Sequence, residues 1–329
     1  MVEPEFKVKV LETDEEIISA LKEFGKELPK NLVGYYNGAL KAIIKDPAFM
    51  LIPFVDKIVH RGFAVFDTAS VHNGKLYNIE NHLDRFFFSM GRAQINPPNT
   101  REEIKEILLA LAASTNEPSL HLRYWASRGG NDLSITTAPD TPTRLYAMAI
   151  KTLPFNGPGP SKCFTTEMPV KPTFLAEFKS TNYLINCRSG DEAKAKGGFP
   201  VSVDEEGYVM ESHIFGCSFI LDDGSFFTPP YKRVLISTTN DRVIALVQTH
   251  LVAKGVVKAV LREPRMLASE LKERTKEMML CGNDFVVPVT QWDDAKFGDE
   301  PGPITKQIQE LYNADHEDEA LLIDVPYKK

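Results

Sequence analysis

Lys179 stands in LAEFKSTNYLIN, with Leu175, Phe178, Tyr183 and Leu184 around it. Apolar neighbours strip water from an ammonium group and favour the neutral, nucleophilic amine. A neutral amine is what Schiff-base formation with an aldehyde requires. The ordinary fate of such a lysine is to snorkel its charge into solvent, so local context leaves both readings open. Glu211, in GYVMESHIF, reads as a strand residue. It is either a surface carboxylate or one that holds a ring nitrogen protonated, so that the ring can accept carbanion charge. Ser237, Thr238 and Thr239 precede the helical run NDRVIALVQTHLVAKG. Hydroxyls and free amides at a helix N-terminus form either a simple cap or an anion site. Cys281-Gly282-Asn283 is a second small-residue turn, after the apolar Met278-Met279-Leu280. Arg85 lies four residues after Asn81 in NHLDRFFF. Its guanidinium fork suits a phosphate, although a helical arginine is more often simply solvated.

The elements that must position these groups change character along the chain. Residues 13–28 and 35–47 read as amphipathic helices separated by Pro29 and Gly34. FAVFDTASVH, Asn73-Gly74 and KLYNI spell two strands around the pair that type I′ hairpins prefer. NHLDRFFFSMGRA is predicted as a helix entered from Asn81. Thr100 and Glu103 make a capping box for REEIKEILLALAAST. HLRYWASR and TRLYAMAIKTL read as strands. Residues 154–160, rich in proline and glycine, are the candidate linker between a smaller unit, 1–153, and a larger one, 161–329. Short strands follow (KCFTTEM, PVSVDEEGYVMESH, CSFILDDGSFFTPP), with helices at 183–196, 239–254 and 268–276. The expected class is α+β in two domains.

The chain has 329 residues, 38 Lys+Arg and 45 Asp+Glu, hence a net charge of −7. With a pI near 5.6 it is no general polyanion binder, which needs a basic face. A hydrophobic content of 43% is globular rather than disordered. No run approaches the ~18 apolar residues of a membrane helix. Cys163, Cys187, Cys217 and Cys281 match no metal or redox spacing and read as four buried, reduced thiols. The acidic opening, without an apolar or Arg/Ser-rich leader pattern, reads as cytosolic.

Each of these signals is weak alone, and their order is specific. DTASVHNGKLYNIENHLDRF, KSTNYLIN with DEAKAKG, DEEGYVMES, FFTPP, VLISTTNDRV and PGPI together resemble the class IV, fold-type IV aminotransferases, over about residues 56–310. LRYW (122–125), EMML (277–280) and PVTQWD (288–293) are most similar to plant D-amino-acid aminotransferase-like members. The resemblance implies a sandwich-like smaller domain, a barrel-like larger one, and pyridoxal 5′-phosphate as cofactor. It implies a homodimer, with small-molecule amino donors and 2-oxo acids as partners, and neither nucleic acid, membrane nor metal.

Residue by residue, the resemblance makes Lys179 the Schiff-base lysine and Glu211 the partner of the pyridine nitrogen. Arg85 and the amides and hydroxyls of Ser237, Thr238 and Thr239 are implied to hold the phosphate. Tyr183 falls where some members bond the phenolic oxygen, and Gly282-Asn283 falls near a second phosphate turn. Three positions depart from the family pattern: Gly216 where many members have Asn, Ser237 for a glycine, and Gly282-Asn283 for Gly-Thr or Thr-Thr. The first hairpin of the family lines the substrate pocket, which implicates Phe66 and Ser70. Bacterial D-amino-acid enzymes carry a lysine near Ser70 and an Arg-x-His pair where Leu133-Ser134-Ile135 stands here. Arg128, in SRGGND, is the expected replacement as carboxylate partner. D-amino acids are the expected donors. Branched-chain acids, (R)-amines, lyase cleavage of aminodeoxychorismate and a non-catalytic descendant stay open.

Overall fold

A computed structural model describes residues 8–130, 133–138, 140–152 and 159–327. Helix α1 (Asp14–Gly25) opens on a capping box between Thr13 and Glu16. Where the spacing predicts a helix over 35–47, the chain forms strands β1 (Leu32–Asn37) and β2 (Ala42–Ile44). The β-favouring Tyr35 and Tyr36 pair with a neighbouring strand instead, and tertiary pairing outweighs a helical spacing of apolar residues. The short α2 (Lys57–Arg61) follows. Strands β3 (Ala64–His72) and β4 (Lys75–Tyr77) form the expected hairpin. Its Asn73 and Gly74 have φ of 50° and 79°, as a type I′ turn requires. Helix α3 (Ile79–Arg92) starts after Asn78, three residues earlier than expected, and α4 (Arg101–Thr115) carries the Thr100/Glu103 box. Strands β5 (Leu120–Ser127) and β6 (Arg144–Lys151) complete this part.

The candidate linker falls largely on residues 154–158, outside the described residues. Beyond it come β7 (Ser161–Thr165), α5 (Thr173–Ala176), α6 (Leu184–Ala195) and β8 (Phe199–Val201). Strands β9 (Gly216–Leu221) and β10 (Phe226–Phe227) precede α7 (Thr238–Leu246), which passes into a π-helical stretch, Val247–Val252. Then follow β11 (Val260–Leu261), α8 (Ala268–Arg274), β12 (Thr275–Gly282), β13 (Phe285–Trp292) and β14 (Ala295–Lys296). Helix α9 (Pro303–Asp315) and β15 (Leu322–Asp324) end the chain.

Two sheets result. The first has the order β15-β4-β3-β5-β6-β1-β2. The C-terminal β15 therefore returns to pair with β4, and the unit expected over 161–329 gives its last strand to the other sheet. The second sheet is mixed, β11-β10-β9-β12-β13-β7-β8, with β14 on β13. Isolated bridges Val203↔Val209 and Glu211↔Gly216 lie between β8 and β9 along the chain. Cys163, Cys217 and Cys281 are buried, but Cys187 is exposed, because it falls on the outward side of α6.

Period-two alternation divides the first sheet into two faces. Val65, Ala69 and Val71 on β3, with Leu122, Tyr124 and Ala126 on β5, pack against Leu83, Phe86 and Met90 of α3 and Leu108 and Leu111 of α4. Phe66, Thr68, Ser70 and Arg123 are left on the opposite face.

The β12–β13 hairpin is held close to the segment after Glu211. A Cβ at Gly282 would lie 2.7 Å from the Ile214 carbonyl oxygen. Gly282→Ala is therefore expected to destabilise the protein by about 1–3 kcal/mol, whereas Gly91→Ala, with nothing within 4 Å, should be neutral or slightly stabilising. Paired denaturant midpoints check this; equal shifts for both variants would show that the hairpin is not tightly packed there.

Candidate active site

The outward face of β3, the start of α3, the Lys179 segment, the turn before α7 and the β12–β13 turn enclose one cavity of about 240 Å³. The Lys179 segment is tied to β3 through its backbone. Phe66 N–H donates to the Lys179 carbonyl at 2.9 Å, and Thr181 N–H donates to the Ala64 carbonyl at 3.0 Å. The Lys179 N–H donates to Ser89 Oγ at 3.1 Å, which adds α3 to the support. Lys179 Nζ lies 3.1 Å from the Tyr183 hydroxyl and 4.7 Å from the Phe66 ring centroid. Burial, and then the nearby Arg85 guanidinium, push its ammonium down to about 7. The side chain is thus a substantially neutral amine at physiological pH.

At one end of the cavity lies Glu211. Its Oε2 accepts from the Leu235 N–H at 3.1 Å. Burial raises its pKa, opposed by the positive charge of Lys171 and by that amide bond. A carboxyl in this state gains from a cationic or N–H partner placed against it. Lys171 Nζ sits 4.5 Å from the Tyr183 ring centroid, so the two lysines share one aromatic neighbour. Burial and the Glu211 charge keep Tyr183 protonated well beyond its usual range.

At the other end, Ser237 caps α7 by accepting from the Asn240 N–H at 3.1 Å. The Thr238 and Thr239 amides fall in the first turn, where no intrahelical acceptor exists, and both residues line the cavity. Arg85 faces them, with Nη1 donating to the Ile236 carbonyl at 3.1 Å. The rest of its guanidinium is forked by Asp67, with Nε at 2.8 Å and Nη2 at 2.7 Å. The same carboxylate lies 2.9 Å from His82 Nδ1. Burial would raise the Asp67 pKa, but the Arg85 guanidinium and His82 outweigh it and hold the carboxyl well below the usual range. Among the described residues His82 Nε2 is buried without a hydrogen-bond partner, and it belongs to a residue of the cavity wall. The Asn186 Oδ1 is in the same state.

Every sequence-predicted site residue but one lines this cavity: Arg85, Lys179, Tyr183, Glu211, Ser237, Thr238, Thr239, Gly282, Asn283, Phe66 and Ser70. Arg128 does not. Its guanidinium folds back onto its own loop, donating to the carbonyls of Thr141 at 3.1 Å and Ala138 at 3.3 Å, and it is 9% exposed. The space left by Gly216 adjoins the Asn240 side chain, which bonds Ser218 and Thr228. Ser237 serves as a cap and does not crowd the turn.

Sequence reasoning missed Arg123, His82, Lys171 and Asp284, which all line the cavity. Arg123 carried a usable signal, being an alternate residue of β5 opposite Thr68. His82 stands three residues before Arg85, on the same helical face. Asp284 directly follows the Gly282-Asn283 turn, whereas Lys171 gave no signal, since only folding brings it to the site. Arg123 has no carboxylate partner within ion-pair distance among the described residues; its Nε lies 3.4 Å from Thr68 Oγ1.

The profile of the family described as Amino-transferase class IV matches residues 64–292. The chain belongs to the class IV aminotransferases. It is similar to a chloroplastic D-amino-acid transaminase of Arabidopsis thaliana, 35% identical over 286 residues, covering 86% of this chain and 76% of that protein. A D-alanine aminotransferase of Listeria monocytogenes is 23% identical, covering 76% and 86%. A solved branched-chain amino acid aminotransferase of T.th., complexed with N-(5'-phosphopyridoxyl)-L-glutamate, superposes with a TM-score of 0.79. It is 20% identical and covers 89% of this chain and 99% of that one, a likeness that establishes the fold, type IV. This aminotransferase is a pyridoxal-phosphate enzyme, and its cavity fits that cofactor. First-turn amides and Arg85 suit the phosphate, a desolvated amine suits the aldehyde, and a raised carboxyl suits the ring nitrogen.

Two outcomes follow for the cofactor-free aminotransferase. Amine labelling of Lys179 should rise through about pH 7, while exposed lysines follow a pKa of ~10.4. Between these values the folded chain binds fewer protons at this position than the unfolded chain, so this group makes stability rise with pH over that window. Lys179→Met should flatten that rise in melting temperature; an unchanged slope would show an ordinary, hydrated lysine.

Proposed function

We propose that this aminotransferase moves the amino group of a D-amino acid to a 2-oxo acid, with Lys179 as its catalytic residue. The observation that carries the reading is the depressed Lys179 amine, set in one cavity between Glu211 and the Arg85–Thr239 end. Bound pyridoxal 5′-phosphate supplies an aldehyde for the amine and an electron-accepting ring for the carbon that loses its proton. Arg85, the Thr238 and Thr239 amides and hydroxyls, Ser237 and the Gly282-Asn283 turn would hold its phosphate. Lys179 Nζ, pushed down to about 7, would take the substrate's α-proton and hold it for delivery to the cofactor. Glu211 would hold a proton at the ring nitrogen, and the Tyr183 hydroxyl would donate to the phenolic oxygen. Phe66 shields the amine from water on the β3 side.

The D preference is supported by the 35% identical plant relative. Arg123, a cavity arginine without a carboxylate partner among the described residues, replaces Arg128 as the group that neutralises the substrate's α-carboxylate. A branched-chain reading is favoured by the putative Methanocaldococcus jannaschii branched-chain aminotransferase, 26% identical and covering 76% of this chain and 86% of that protein. We further infer a homodimer, because Leu51, Phe54, Leu133 and Ile135 leave large apolar side chains exposed, Phe54 by 83%. We place the enzyme in the cytoplasm on its unpaired thiols; among the described residues no helix is long and apolar enough to cross a membrane.

Purified enzyme should turn over D-alanine with 2-oxobutyrate as acceptor, and Lys179→Ala should abolish turnover. Arg123→Ala should raise the KM for D-amino acids by about tenfold or more while sparing (R)-amines, which bring no carboxylate. Inert D-alanine beside active L-leucine would replace the D reading by the branched-chain one, and pyruvate release from aminodeoxychorismate would replace it by the lyase. Light scattering at assay concentration should give twice the chain mass.

A further inference from the structure

The β3–β5 side of the cavity carries two charges of opposite sign. On β3 and β5, Thr68 stands opposite Arg123 and Ser70 opposite His121. These pairs are two residues apart along the strands, about 7 Å. Ser70 Oγ donates to Asp284 Oδ2. Asp284 is the second residue of the two-residue turn between β12 and β13, with φ of 60° after Asn283 at 50°. Its N–H donates to Thr239 Oγ1 at 3.4 Å, which fixes the turn against α7. It is 4% exposed and lines the cavity. Among the described residues no lysine or arginine lies within ion-pair distance of it, and no hydrogen bond reaches its Oδ1.

We propose that Asp284 makes this pocket reject substrates with a second carboxylate, so that donors and acceptors with uncharged side chains are selected. The inference rests on the reading of Arg123 as the α-carboxylate site. The substrate Cα must sit at Lys179, which leaves two directions along the β3–β5 wall. A carboxylate taken by Arg123 sends the side chain toward Ser70 and Asp284. A carboxylate on that side chain then meets a like charge in a poorly hydrated cavity. Small apolar, hydroxyl or ammonium side chains meet an acceptor instead.

The groups facing Asp284 favour its ionised form. Burial would raise its pKa, but His82, the Ser70 hydroxyl, His316 and His72 bring it below the usual carboxylate range, so it is ionised at neutral pH. Burial drives His72 down to about 4 and lowers His121 as well, which leaves both rings neutral there.

The test uses the cofactor-loaded enzyme, wild type and two variants that tolerate a positive φ, Asp284→Asn and Asp284→Gly. Wild type should prefer D-alanine over D-glutamate by about tenfold or more in kcat/KM, and both variants should lower that ratio by about tenfold or more. Calorimetric binding of butyrate and glutarate gives a second readout without turnover. Wild type should bind glutarate more weakly, and the variants should bring the two together. Wild type that uses D-glutamate as well as D-alanine, or variants that leave the binding ratio unchanged, overturns the proposal. If no D-amino acid reacts, the donor reading fails by itself, and the butyrate-to-glutarate ratio still decides the role of Asp284.

Discussion

The ε-amine of Lys179 sits where its charged form is poorly hydrated and where the Arg85 guanidinium repels it. Much else in the structure serves that condition. Phe66 and Tyr183 place rings beside the amine, and the backbone of residues 179–181 runs along β3 so that the lysine cannot swing to solvent. Removing an ammonium group from water costs several kcal/mol unless it neutralises, and neutralisation is the outcome that yields a nucleophile. The desolvation cost and the chemical use are the same fact.

The Arg85 guanidinium is prepared differently. Arg85 is not free; Asp67 takes two of its nitrogens and also binds His82. A buried pair of this kind adds little net stability, because desolvation offsets most of the Coulomb attraction. What it provides is geometry. The guanidinium is locked toward Ile236 and the first turn of α7, and an arriving phosphate need not order a flexible side chain. Asp284 is the counterpart on the substrate side, a carboxylate held in place by Ser70 and a type I′ turn.

Local signals were legible where one short segment suffices to decide the conformation. The Thr100/Glu103 capping box and the Asn73-Gly74 hairpin form as their residue types dictate, because caps and tight turns are closed by neighbours in the chain. The stretch over 35–47 misled, since its apolar spacing fits a helix as well as a buried strand. Pairing of β1 with β6, more than a hundred residues away, decides between them. The return of β15 to the first sheet is of the same kind. Arg128 misled for a related reason: its loop offered carbonyls at hydrogen-bond distance, and the arginine satisfied those first.

The sequence by itself determined which residue types could do the chemistry: a lysine in apolar company, a carboxylate on a strand, hydroxyls at a helix start and an arginine one turn into another helix. Those properties depend on side-chain chemistry and near neighbours, and they survive without knowledge of the fold. Only the tertiary structure decided which groups meet. It brought Arg123, from β5, and Asp284, from the β12–β13 turn, to one cavity although they are far apart in the chain. It also set the proton affinity of Lys179, because desolvation depends on what every distant segment packs against the amine.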